Sequence, residues 1–390
     1  MNESQGFAIG DALLRAIGDR LAATAGPDGL VARTGGDAFA VLLPDLAPEA
    51  SLSVELFGNR DGSFDEPFVI DGFELDVSAH YGYTRLGAEP RPPGGLLREA
   101  EVALHASRFG SPTNGQAYTS DLDRAARGRV ELANELREAL KNDEFELHFQ
   151  PKVQLASGRL VAGEALIRWN HPARGFLSPG AFIPVAETSH LIVPIGRWVL
   201  DRACKTLRAW QDDGLDIVQI AVNVSVEQLA DREFLMDVEE ILARHRVPPS
   251  SLTLELTESV FADERARLRD QLDALHALGV KLSLDDFGTG YSSLAYLKDY
   301  PFDDIKIDRA FVHGLPDDPY SRDIAASVLK IASSIGATVI AEGIERPEQR
   351  DALLALGCSM GQGYYFSVPL SEEDFAWLLA RRVPLPLKVA

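Results

Sequence analysis

The chain has 390 residues, 46% of them hydrophobic, and its 59 acidic residues against 38 basic ones give a formal charge of -21. That length suggests roughly two or three domains with sizeable buried cores. So acidic a surface repels nucleic-acid backbones and anionic membranes, which argues against a polymer-binding or lipid-surface role; a small anionic ligand stays open wherever bound cations invert the local field.

In chain order, Met1-Asn2-Glu3-Ser4-Gln5 has neither a basic region nor an apolar core, so no signal peptide is expected. A helical pattern covers 10–25, an apolar hairpin 30–43, a proline- and glycine-rich stretch 57–68, an alternating run 73–86 and a helix 96–107. Segment 121–141, rich in Arg, Glu, Ala and Leu, predicts an amphipathic helix joining two halves, 1–126 and 127–390. From 145 onward, short apolar runs at 145–150, 160–167, 217–224, 252–256, 280–284, 304–307, 338–341 and, more weakly, 361–366 alternate with helical patterns at 195–211, 232–245, 264–278, 321–334 and 347–356. Strands alternating with helices predict a parallel sheet, and eight such runs in about 260 residues match the size of a (β/α)8 barrel. No apolar run approaches the roughly 20 residues of a membrane span. Cys204 and Cys358 lie far apart, as small apolar filler in a reducing compartment would. A cytoplasmic location is expected.

In such a barrel the catalytic groups stand where strands end. The polar residues within or just after the apolar runs are Gln150, Glu164 with Arg168, Asn223, Glu255 with Glu258, Asp285 with Asp286, Lys306 with Asp308, Glu342 with Glu345, and Gln362. A single glutamate in a strand is most often a solvent-facing residue. A charge in almost every strand is different, because the barrel converges them on one mouth. Carboxylates gathered around one lysine cannot all stay ionised without counter-charge. Oxygen donors with no Cys or His favour hard cations such as Mg2+ or Mn2+. The adjacent Asp285-Asp286 suits a bridge between two metals, an arrangement that recurs in phosphodiester hydrolysis. The stretch 286–294, with two glycines and four hydroxyl-bearing residues, is either an ordinary βα turn or a loop that orders over metal and ligand.

The run Glu164-Ala165-Leu166-Ile167-Arg168-Trp169 resembles the signature of the EAL family of cyclic di-GMP phosphodiesterases. The resemblance extends from about 128 to 385, through Gln150-Pro151, Asn223-Val224-Ser225, Glu255-Leu256-Thr257-Glu258, Asp285-Asp286-Phe287-Gly288-Thr289-Gly290, Lys306-Ile307-Asp308, Ala341-Glu342-Gly343-Ile344-Glu345 and Gly361-Gln362-Gly363-Tyr364. It implies a barrel with one reversed strand, the first, and hydrolysis of cyclic di-GMP to linear pGpG with two Mg2+ or Mn2+ ions. Glu164, Asn223, Glu255 and Asp285 would hold the first metal. Asp285 and Asp286 would hold the second, with Glu342 beside it. Lys306 would position the attacking water, and Glu258 would anchor the glycine loop. Gln150, Arg168, Asp308, Glu345 and Gln362 would form the substrate-binding set, with Arg168 on phosphate. Val368 and His190 depart from the family's usual basic residue and glycine, outside the metal set. The alternative reading is a catalytically weak cyclic di-GMP receptor that signals to a protein partner.

The first half resembles the GGDEF family of diguanylate cyclases, through residues 2–11, the hairpin Arg33-Thr34-Gly35-Gly36-Asp37-Ala38-Phe39, and Ala100-Glu101-Val102-Ala103-Leu104. Asn2 and Asp11 match guanine-recognition positions and Asp37 a metal-ligand position. Ala38 replaces the family's glutamate, Ser107 falls near a phosphate-contacting lysine, and Gly26 and Gly29 replace the product-inhibition Arg and Asp. The sequence begins after the family's first strand, so an incomplete, degenerate α+β domain is expected; either the chain is a fragment of a longer protein, with a sensory module expected upstream, or its start is misplaced. Weak GTP binding by this half and homodimerisation are the partner expectations, with no nucleic-acid polymer and no membrane contact within the chain.

Overall fold

The computed structural model describes residues 7–44, 52–57, 64, 66–87, 91–107, 114–215, 217, 219–258, 265–288, 297 and 300–386. The chain divides into two compact units, Met1–Glu131 and Leu132–Ala390, and the division falls inside the helix expected to join the halves.

The first unit contains helix α1 (Phe7–Ala25), an antiparallel hairpin of β1 (Leu30–Gly35) and β2 (Ala38–Leu42), and the short helix α2 (Leu52–Phe57). The alternating run 73–86 does not form one strand. Its start, β4 (Phe73–Leu75), folds back on β3 (Phe68–Ile70) through Asp71 and Gly72, at φ 48° and 84°. Positive φ at both central residues matches the twist of a tight hairpin, and Asp-Gly is the dipeptide that tolerates it. The remainder forms β5 (Tyr81–Tyr83), parallel to β6 (Gly115–Ala117) and packed on α3 (Pro93–Ser107). Helix α4 (Ser120–Ala139) carries the chain onward, burying Leu132, Ala133, Leu136 and Ala139 at helical spacing.

The second unit is a closed barrel. Its strands are β7 (Phe145–Gln154), β8 (Leu160–His171), β10 (Gln219–Val224), β11 (Leu252–Thr257), β12 (Lys281–Phe287), β13 (Asp304–Ile307), β14 (Thr338–Ala341) and β15 (Met360–Gly361). They pair in that order, β8 with β10, and β15 closes back onto β7. Strand β7 runs antiparallel to both neighbours, as expected of the first strand, and β9 (Gly175–Leu177) extends β8 as a hairpin. The wall is apolar on its outer face, where Leu252, Leu254 and Leu256 of β11 and Leu282 and Leu284 of β12 are all at most 1% exposed. Those alternate residues pack under the helices, which leaves the intervening Glu255, Ser283 and Asp285 for the interior.

The sequence pattern missed helix α5 (Pro179–Thr188), the short helices α7 (Val226–Ala230) and α10 (Arg309–His313), and the final helix α13 (Glu372–Arg381); the expected helices are α6 (Ile192–Asp212), α8 (Phe234–His245), α9 (Arg265–Leu278), α11 (Pro319–Ile335) and α12 (Pro347–Leu356). An internal proline, Pro184, disguises α5. The eighth strand is only Met360–Gly361, because Gly363 turns the chain at once. No described helix is long and apolar enough to cross a membrane.

Candidate active site

The barrel's mouth is assembled by adjacent strand ends. The pairing registers set Gln150 opposite Glu164, Asn223 opposite Glu255, and Thr257 opposite Asp285. At the centre stands Lys306 of β13, 1% exposed. Its Nζ donates to Glu255 Oε2 at 2.8 Å and Asp285 Oδ2 at 2.9 Å and forms an ion pair with Glu342 Oε1 at 2.6 Å, with Glu164 Oε2 3.7 Å away. Asn223 Nδ2 donates to Glu164 Oε1 at 2.8 Å, and Gln362 Nε2 donates to Glu164 at 2.6 Å and Glu342 at 2.9 Å.

Two local distortions make this convergence possible. Successive residues of a strand normally face opposite sides, so Asp285 and Asp286 should not share a site. Leu284 pairs with Ile305 and Phe287 with Ile307, so two residues of β12 oppose the single Lys306 of β13. Such a bulge re-aims side chains. It holds Asp286 at φ 54°, a left-handed conformation that costs a non-glycine residue on the order of 1–3 kcal/mol. Carboxylate oxygens of Asp285, Asp286 and Glu342 thereby come within 4.8 Å of one another. The second distortion is at Gly363, φ 155°, where a Cβ would lie 2.2 Å from the Ile344 backbone. Only glycine permits the approach that lets Ile344 N–H donate to Gln362 O at 3.1 Å and Tyr365 N–H to Ile344 O at 2.8 Å, fixing Gln362 beside Glu342.

The charges do not balance. Glu164, Glu255, Asp285, Asp286 and Glu342 are five carboxyls; Lys306 and Lys152, the latter paired to Glu255 Oε1, are two ammoniums, and 5 − 2 leaves an excess of three. Three of the five are accordingly pushed upward. Burial, then the Asp285 and Asp308 charges and a hydrogen bond with Asp308, raise Asp286 to about 6. Burial raises Glu342 to about 8, with Lys306 opposing. Glu164 rises through burial and the neighbouring Glu255. Burial acts the same way on Glu255, but Lys152 and Lys306 overcome it and hold this carboxyl at about 2. Burial disfavours the Lys306 ammonium, yet its carboxylate ring keeps it protonated well above the ordinary lysine range.

Lys152 was absent from the sequence reading, although it shares strand parity with Gln150 on β7, two residues away. The other expected residues stand further out. Glu258 Oε2 accepts from Gly288 N–H at 3.2 Å, at the first glycine of the 286–294 loop, whose residues 289–294 lie outside the described residues. Asp308 caps α10 by accepting from Ala310 N–H at 2.8 Å. Gln150 Nε2 donates to Ser367 O at 3.5 Å, and Arg168 Nη1 to Ile167 O at 2.9 Å. Arg168 is half-buried, and burial lowers its pKa against the opposing pull of Tyr364 and Glu164. Glu345 is exposed and joins the barrel through its backbone N–H, which donates to Gln349 Oε1 at 2.8 Å.

The donor set fits divalent cations. It is all oxygen, it carries three negative charges in excess, and Gln362 Oε1 is a buried oxygen with no hydrogen-bond partner among the described residues. In the first unit, Asn2 lies outside the described residues, Asp11 and Asp37 are exposed, and Ser107 is 1% exposed with Oγ donating to Leu104 O at 2.7 Å.

The EAL domain family profile matches residues 133–369, and that of the diguanylate cyclase, GGDEF domain matches residues 1–109. The bifunctional diguanylate cyclase/cyclic di-GMP phosphodiesterase MucR of Pseudomonas aeruginosa is 35% identical over 375 residues, 96% of this chain and 54% of MucR. The cyclic di-GMP phosphodiesterase NbdA of the same organism is 36% identical over 370 residues, 95% of this chain and 47% of NbdA. The chain thus spans about half the length of these curated relatives. Among solved structures, the PaMucR phosphodiesterase in complex with c-di-GMP aligns at TM-score 0.61 and 41% identity over 63% of this chain and 99% of that one. The EAL enzyme Bd1971 in its cAMP- and cyclic-di-GMP-bound form aligns at 0.62 and 37% over 65% and 70%.

Proposed function

The chain belongs to the EAL domain family, and from that premise we propose that it hydrolyses cyclic di-GMP to linear pGpG with two divalent cations, Mg2+ or Mn2+, at the barrel mouth. The observation that carries this reading is the unbalanced cluster. Five carboxyls face two ammoniums, and three carboxyls answer by rising towards protonation. Two divalent ions would supply the positive charge that the cluster lacks, with enough left over to meet a phosphodiester. A receptor for an anion has no use for excess negative charge.

Glu164, Asn223, Glu255 and Asp285 would hold one cation, and Asp285 and Asp286, with Glu342, the other. Bound there, such ions polarise a phosphodiester and acidify water. The chain's own residues do the rest. Lys306, kept protonated by its ring of carboxylates, orients the attacking water and stabilises the negative charge that develops on the phosphoryl oxygens. Arg168 meets the phosphate from β8, and Gln150, Gln362, Asp308 and Glu345 contact the nucleotide. Glu258 holds the start of the glycine loop through Gly288. Water adds its oxygen to one phosphorus, the bond to the 3′ oxygen breaks, and that oxygen leaves with a proton as the ring opens.

The first half serves as a weak GTP site, and the protein works as a cytoplasmic homodimer; GTP titration and analytical ultracentrifugation test these two points. The main test is hydrolysis of cyclic di-GMP with Mg2+ or Mn2+, beside an EDTA control and a Glu164→Ala variant. Metal-dependent pGpG that disappears with EDTA and in the variant is the expected result. Tight binding without turnover under either metal refutes the enzyme reading and makes the barrel a receptor.

A further inference from the structure

Lys152 is a buried ammonium, 3% exposed, for which the proposed chemistry has no role. It rises from β7 beneath the mouth and takes Glu255 Oε1, while Oε2 faces Lys306 at 2.8 Å on the other side. Glu255 is itself 1% exposed, so neither oxygen has water to turn to. The two oxygens of one carboxylate are thus committed in opposite directions, one down to β7 and one up to the mouth.

We propose that Lys152 is a positioning residue that restricts Glu255 to one-oxygen ligation and thereby selects Mg2+ over Ca2+. This rests on the reading of the mouth as a divalent-cation site. Mg2+ demands near-ideal octahedral geometry and is satisfied by one oxygen from each carboxylate. Ca2+ takes about six to eight oxygens and commonly draws both from a single carboxylate. With Oε1 held by Lys152, Glu255 offers the mouth only Oε2. The selectivity comes from withholding an oxygen, and the residue that withholds it lies on the reversed strand, outside the strand ends that supply the ligands. Among the described carboxylates of the mouth, Glu255 carries a lysine on each oxygen, Lys152 on Oε1 and Lys306 on Oε2, whereas Lys306 meets Asp285 through Oδ2 alone.

Replacement of Lys152 is structurally accessible. Below it lies a cavity of about 290 Å3, lined also by Thr253, Lys281 and Asp304, which gives an altered side chain room without moving the barrel wall.

The test is calorimetric titration of the full chain with Mg2+ and with Ca2+, without nucleotide, for wild type, Lys152→Met and Lys152→Arg. Lys152→Met frees Oε1, and its Ca2+-to-Mg2+ affinity ratio rises about tenfold or more over wild type. Lys152→Arg keeps a donor on Oε1 and holds the ratio within about threefold. An unchanged ratio in folded Lys152→Met overturns the proposal. A crystal structure of the wild type with Ca2+ provides a second test that needs no variant to fold. One Glu255 oxygen on the cation, with Lys152 on the other, supports the proposal; ligation through both oxygens overturns it. A wild type that binds neither cation defeats the metal reading of the mouth itself, an outcome distinct from the loss of selectivity alone.

Discussion

Both units bury acidic side chains, and they treat them in opposite ways. In the first, Glu99 of α3 is 6% exposed and fully answered: Thr84 Oγ1 donates to Oε2 at 2.7 Å and Arg91 takes Oε1, and these partners, the hydroxyl first, hold its pKa below the usual carboxylate range. In the barrel, Glu342 shares Lys306 with three other carboxylates and is pushed up to about 8. An acid that serves structure is neutralised where it stands. An acid that awaits a cation is left short of counter-charge, and the shortfall is the functional signal.

Removing the central cation from each arrangement gives the largest expected effects. Lys306→Met strands buried carboxylates, so it should destabilise the metal-free protein by about 3–5 kcal/mol and cut hydrolysis by about a thousandfold. Arg91 is 41% exposed at its side chain, and Arg91→Ala should cost under about 1 kcal/mol. Urea denaturation with and without Mg2+ measures both. Equal losses at the two sites would abolish the distinction between them.

Asp286 sharpens the comparison by setting stability against function. Asp286→Gly relieves the left-handed backbone and deletes a carboxyl already raised to about 6. The variant should gain about 1 kcal/mol while losing about a hundredfold in turnover. A variant that is both less stable and less active would mean that the bulge is held for packing rather than chemistry.

That bulge also marks how far the sequence could be read. Alternation of apolar runs and helices exposed the eight strands, because the outer wall must be apolar in each, as Leu252, Leu254 and Leu256 show; the reversal of the first came from the family resemblance alone. The charged strand ends were legible for the same reason: Glu255 and Lys306 interrupt runs that burial otherwise keeps apolar. Pairing geometry was not legible. Nothing in Asp285-Asp286 announces that two residues oppose one. Nor did one lysine on β7 stand out as the second cation, because its partner Glu255 is 103 residues away. In the first unit the run 73–86 has the right period for a strand, yet Asp71-Gly72 turns its beginning into a hairpin.

A smaller effect is expected at Glu258, 9% exposed and linked to the glycine loop through Gly288 N–H at 3.2 Å. Glu258→Gln keeps an acceptor oxygen but removes its charge, and charge-assisted hydrogen bonds are about twice as strong as neutral ones. Turnover should fall about tenfold, with melting temperature and cation affinity nearly unchanged. Normal hydrolysis would detach Glu258 from the mouth; loss of cation affinity as large as the loss of turnover would place it among the ligands.

The smallest effect, and the most direct test of the uncompensated charge, is the pH dependence of the metal-free protein. Asp286 and Glu342, at about 6 and about 8, lie above the value of about 4 of an unfolded carboxyl. The folded state therefore binds more protons than the unfolded one across that window. The stability these groups contribute is complete below about pH 4 and is lost as pH rises through 6 and then 8. Glu255, held at about 2, runs the other way: its contribution is present above about pH 4 and lost only in acid, so it is silent from pH 6 to 8. Glu99, lowered in the folded state, is likewise silent there. Metal-free protein should then melt lower at pH 8 than at pH 6, by about 2–4 °C for each kcal/mol lost. Glu342→Gln, which removes the main titrating group, should flatten the slope and separate it from histidine titration. Saturating Mg2+ should flatten it too, because cations replace the protons, and its titration below pH 8 should release protons into the buffer. A wild-type slope that survives in Glu342→Gln would mean that the cluster is relaxed by solvent, and that its shortage of counter-charge is no greater than that of Glu99.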